Sequence, residues 1–70
     1  VYPNPTSSYF VLDVDNEIFG SAFKLIDIKG SEIKTGIVSK NTIIQLDGFP
    51  QGLYFLMIDG VNQPFKIIKL

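Results

Sequence analysis

At 70 residues the chain has the length of one domain, and with a formal charge of −1 and no basic face it is not a reader of nucleic acid. It has no cysteine, so neither a disulfide nor a thiolate zinc site can hold it, and stability must come from its 46% apolar residues. A chain this short buries only about 60% of the surface its unfolded form exposes.

Tyr2-Pro3-Asn4-Pro5-Thr6 reads as extended, because two prolines fix φ and push the residues before them toward β or polyproline geometry. Tyr9 to Asp15 alternates, with Phe10, Leu12 and Val14 on one face and Asp13 and Asp15 on the other, the pattern of a half-buried strand. Asn16 to Ser21 is a polar connection. Ala22 to Ile28 is a second strand, with Phe23 and Leu25 on one face and Ile26 and Ile28 on the other. Lys29-Gly30 turns the chain into a third, Glu32 to Ile37, where Gly36 suggests a bulge or a strand end.

Ser39-Lys40-Asn41 is a turn, and Thr42 to Leu46 a fourth strand. Asp47 to Gly52 is a loop built around Pro50 and Gly52. Leu53 to Asp59 is the fifth strand and Phe65 to Leu70 the sixth. No window has helical periodicity. Short strands at this spacing with turn residues between them predict an all-β chain of two small packed antiparallel sheets.

Leu53 to Ile58 is apolar on both faces, as is Ile67-Ile68. Either loops or a preceding domain cover the second face, or it is an exposed patch for a partner. The last strand also offers an edge for strand addition. The longest apolar run is those six residues, far below the roughly 20 needed to span a bilayer, so no membrane insertion is expected. Val1 rather than Met opens the sequence, with no charged-then-apolar leader. The expectation is a single domain, residues 1–70, from a larger secreted protein.

Chemistry is sparse. With no histidine and no cysteine there is no Ser-His-Asp arrangement and no thiol nucleophile. The serines sit in or beside turns, where a hydroxyl commonly bonds local backbone. Asp13, Asp15 and Glu17 alternate and would hold calcium only if carbonyls completed the ligand set, while a solvated strand face explains them as well. Tyr2, Tyr9 and Tyr54 are the candidates for stacking on sugar rings. No cofactor and no catalytic residue is expected.

Four marks recur in order: Pro3-Asn4-Pro5, then Asp27-Ile28-Lys29-Gly30, then Phe49-Pro50-Gln51-Gly52-Leu53-Tyr54, and the lysine-bearing strand Phe65-Lys66-Ile67-Ile68-Lys69-Leu70. In that order and spacing the chain resembles the type A C-terminal sorting domain of the type IX (Por) secretion system of Bacteroidetes, over essentially all 70 residues. Two departures stand out: Phe49 replaces the usual leucine, and Ser31 follows Gly30 where the family often has arginine.

The resemblance implies an immunoglobulin-like antiparallel β-sandwich of about six to seven strands. It also implies a non-catalytic signal that directs its parent through the periplasm and across the outer membrane to the cell surface or medium. Implied partners are the secretion translocon, a sortase-like peptidase that removes the domain and anchors the cargo, and an N-terminal cargo domain of the same chain. Motif and turn residues would be Pro3, Asn4, Pro5, Asp27, Gly30, Pro50, Gly52 and Tyr54. Recognition is expected on Lys66, Ile67, Ile68, Lys69 and Leu70. The alternative from another class is an adhesive or carbohydrate-binding β-sandwich module attached to a secreted enzyme.

Overall fold

In the computed structural model, which describes Tyr2 and residues 5–70, the described residues form six strands and one turn of 3₁₀ helix. They are β1 (Tyr9–Leu12), the 3₁₀ turn (Asn16–Ile18), β2 (Ala22–Asp27), β3 (Glu32–Ile37), β4 (Thr42–Gln45), β5 (Gly52–Ile58) and β6 (Phe65–Lys69). β1 and β4 make a two-stranded sheet, and the other four make a sheet in the order β3-β2-β5-β6. Every ladder between strands is antiparallel. The chain leaves the small sheet after β1, builds the β2–β3 hairpin, returns for β4 and finishes on the large sheet.

The period-2 alternation of the sequence becomes the core. Phe10 and Leu12 of β1 and Ile44 of β4 join one buried cluster with Phe23 and Leu25 of β2, Tyr54, Leu56 and Ile58 of β5, and Ile67 of β6. Val38 and Leu46, just beyond the ends of β3 and β4, close it. The fold is a small antiparallel β-sandwich, the class the sequence predicts. Truncating one such residue to alanine costs about 2–5 kcal/mol, a large share of the stability of so small a domain.

Strand ends elsewhere shift by at most one residue, and three larger details differ from the sequence reading, each for a physical reason. β1 stops at Leu12, three residues short of Asp15, because Leu12 pairs with Thr42 and the next partner, Asn41, has φ +56° and belongs to a turn. Val14 still packs on the core. The polar connection after β1 contains the 3₁₀ turn, whose Ile18 also packs there.

Gly36 is no bulge. It stays in the ladder opposite Phe23, whose ring lies so close that a Cβ at Gly36 would sit 2.8 Å from two ring carbons. The irregularity falls between Leu25 and Ile26 instead: Leu25 pairs with Lys34 and Ile26 with Glu32, leaving Ile33 as the extra residue.

Candidate functional site

The β2–β3 turn is built on one carboxylate. Asp27 Oδ1 accepts the backbone N–H of Lys29 at 2.9 Å and of Ser31 at 2.9 Å, while the Asp27 carbonyl accepts the Gly30 N–H at 3.0 Å. The Asp27 N–H donates to the Ser31 carbonyl at 3.0 Å. A short acid is what such a turn needs, because its oxygen can reach two amides that the ladder leaves unpaired. Gly30 adopts φ +87° at the end of the turn.

The loop before β5 is tied by Tyr54. Its ring is buried and its hydroxyl donates to the Pro50 carbonyl at 2.6 Å. The loop enters the strand at Gly52, whose φ of +145° lies in a region that side chains disfavour. Phe49 packs against the core, with the Lys34 ammonium 5.8 Å from its ring centroid, within reach of a cation–π attraction.

These two segments, distant in sequence, meet in space. Asp27 stands opposite Tyr54 in the β2–β5 ladder, and Gly52 stands opposite Lys69 in the β5–β6 ladder. Between turn and loop lies an open cleft of about 310 Å³, lined by Ile28, Ile33, Phe49, Leu53 and Tyr54 with Asp27 and Lys29 among its polar groups. Ile28 and Leu70, at this same end of the sandwich, are 70% and 65% exposed.

The last strand is clasped by a residue that sequence reasoning passed over. Thr6, 2% exposed, donates its N–H to the Ile68 carbonyl at 2.9 Å and accepts the Leu70 N–H at 2.8 Å. It thereby forms a parallel bridge with Lys69, and its hydroxyl donates to the Tyr9 carbonyl. The edge of β6 that the sequence offered for strand addition is occupied there by the chain itself. A lone threonine after two prolines carries no signal of this in sequence.

The expected recognition residues divide by strand alternation. Ile67 is wholly buried, Lys66 and Ile68 face outward, and Lys69 is half-buried. Pro5 is exposed, whereas Pro3 and Asn4 lie outside the described residues. Of the tyrosines weighed for sugar stacking, Tyr2 and Tyr9 are exposed on the small sheet and Tyr54 is buried in the core. Asp13, Asp15 and Glu17 line a shallow indentation with Val14 and Ile18, and no group of three or more potential ligand side chains that could hold a metal occurs among the described residues.

Comparison with known proteins places the chain as a whole. The family model described as the secretion system C-terminal sorting domain matches residues 1–70, the whole chain. The chain belongs to this family. Among curated proteins, this sorting domain is 35% identical over 69 residues to Beta-agarase A of Zobellia galactanivorans, an alignment covering 97% of the chain and 12% of that relative. It thus spans about one eighth of the length of the relative it matches. No solved structure matches it. As a sorting domain of type IX secretion, the chain is a signal for export of a secreted protein, and its family is one of signals rather than catalysts.

Proposed function

We propose that the export signal is read at the turn end of the sandwich, where the Asp27–Gly30 turn, the Phe49–Tyr54 loop and the end of β6 lie side by side. The observation that carries this reading is the register: Asp27 opposite Tyr54 and Gly52 opposite Lys69 place three sequence motifs within a few strand spacings of one another. Asp27, Gly30, Pro50, Gly52 and Tyr54 shape the surface. Ile28, Lys69 and Leu70 present groups to a receptor, and Lys66 and Ile68 extend the contact onto the adjoining sheet face. Ile67 acts from within, by holding β6 to the core.

In this reading the domain is a single unit carried at the C-terminus of a larger secreted protein. The parent crosses the periplasm, the translocon of the type IX system engages the turn end, and a sortase-like peptidase releases the cargo near Pro3-Asn4-Pro5 and joins it to a surface anchor. The domain is substrate and signal throughout, and the chemistry belongs to its partners.

A reporter tests this directly. A periplasm-directed fluorescent protein carrying residues 1–70 at its C-terminus is expressed in a Bacteroidetes host with and without the translocon. Export is expected only with the translocon present. Ile28→Asp and Lys69→Glu, each checked for native circular dichroism, are expected to reduce it at least about tenfold, which corresponds to about 1.4 kcal/mol in receptor affinity. Export that survives both substitutions would remove the turn end as the reading surface, and retention in every strain would overturn the sorting role of the domain in that host.

A further inference from the structure

The face of the four-stranded sheet turned away from the core is apolar at its centre. Met57 is 43% and Ile68 41% exposed, and Leu53, Phe55 and Ile26 beside them are half-buried. A face of this kind on a domain this small marks a contact surface.

Its charges say what fits it. Ladder register sets four outward side chains in one row across the sheet: Glu32 on β3, Ile26 on β2, Phe55 on β5 and Lys66 on β6. The row reads acid, apolar, apolar, base. It is its own complement about a two-fold axis running along the strands between β2 and β5. Under that operation Glu32 lies against Lys66 of a second copy, Lys66 against Glu32 of that copy, and Ile26 against Phe55 on both sides of the axis. One row away, Lys24 stands opposite Met57 in the ladder, so the same axis lays its alkyl stem over Met57 of the other copy. No cation meets a cation.

We propose that this sheet face is a self-association surface on which two copies of the chain pack face to face, strands nearly aligned. A uniformly basic rim would call for an acidic partner, whereas a row bearing both signs at its two ends is matched by itself, as a closed two-fold interface requires. Aligned packing of twisted sheets about 10 Å apart accommodates the arrangement. With strands about 4.8 Å apart and about 3.3 Å of rise per residue, each copy contributes on the order of 400 Å². The pair is therefore weak and concentration-dependent rather than obligate.

Sedimentation equilibrium of the chain from about 10 μM to about 1 mM tests it, a range suited to a weak pair. The weight-average mass is expected to climb toward that of a dimer. Lys66→Glu and Glu32→Lys, both at exposed positions, are each expected to move the midpoint at least about fivefold higher in concentration, because two ion pairs become two repulsions. Combining them inverts the row without losing its self-complementarity, so the double variant is expected to regain the original midpoint. A chain that stays monomeric throughout overturns the proposal. So does a dimer indifferent to the single reversals, which would place the contact on another surface, and so does a double variant that fails to recover.

Discussion

At the scale of single residues, the two middle motifs that identify this domain are engaged in holding turns. Asp27 satisfies two amides with one oxygen, Tyr54 anchors Pro50 through its hydroxyl, and Gly52 takes a backbone conformation that a side chain would strain. Tyr54→Phe keeps the buried ring and removes only the hydroxyl, so it is expected to lower unfolding free energy by about 1 kcal/mol in urea titration. No measurable loss would mean that water replaces the hydroxyl at the Pro50 carbonyl. These residues were legible in sequence because turn chemistry is local: an aspartate three residues before a glycine announces its hydrogen bonds. Thr6 was not legible, since both of its backbone bonds go to the last strand, which only the folded chain brings near, and the hydroxyl bond to Tyr9 leaves no pattern of its own.

At the scale of elements, the strands followed from alternation and their ends did not. Phe10, Leu12, Phe23 and Leu25 declare a buried face by spacing alone, but a strand stops where its partner does, and the turn at Asn41 ends β1 from across the sheet. Gly36 suggests a bulge or a strand end in sequence, yet it is a seat for the Phe23 ring, a close approach that no local pattern encodes. The clasp at Thr6 belongs to this scale as well. Thr6→Val retains the branched shape and loses the hydroxyl, leaving the Tyr9 carbonyl without that donor, and is expected to cost about 1–2 kcal/mol. In the unaltered chain the Leu70 amide, held by Thr6, is expected to exchange with solvent far more slowly than a residue at the end of a strand ordinarily does. Exchange at the rate of an unstructured peptide would show that the clasp is open in solution.

At the scale of the whole molecule, the last strand serves the core and the surface together, and the two duties must be separated in any test of sorting. Removing residues 65–70 takes the buried Ile67 and the half-buried Phe65 from a core that has little to spare. That deletion is expected to abolish a cooperative thermal transition. Lys66→Ala combined with Lys69→Ala is expected to keep the transition, with a change within about 1 kcal/mol, because neither side chain belongs to the core cluster. A sharp transition surviving the deletion would mean that β6 is an appendage and not part of the sandwich. The clustering of the motifs at one end also belongs to this scale. Their order along the chain was readable, but their convergence depends on the β2–β5 and β5–β6 registers, which alternation leaves undetermined.

The parallel bridge between Thr6 and Lys69 has a mechanical consequence. In antiparallel hairpins a pull on the two ends opens hydrogen bonds one after another, like a zip. Here a pull toward the N-terminus from Thr6, against a grip on Leu70, runs in opposite directions along two strands that point the same way. The bonds from Thr6 to Ile68 and from Leu70 to Thr6 then share the load in shear and must fail together. Tension drawn between Thr6 and Leu70 is borne by this clasp, and the sandwich behind it stays folded until the clasp gives way.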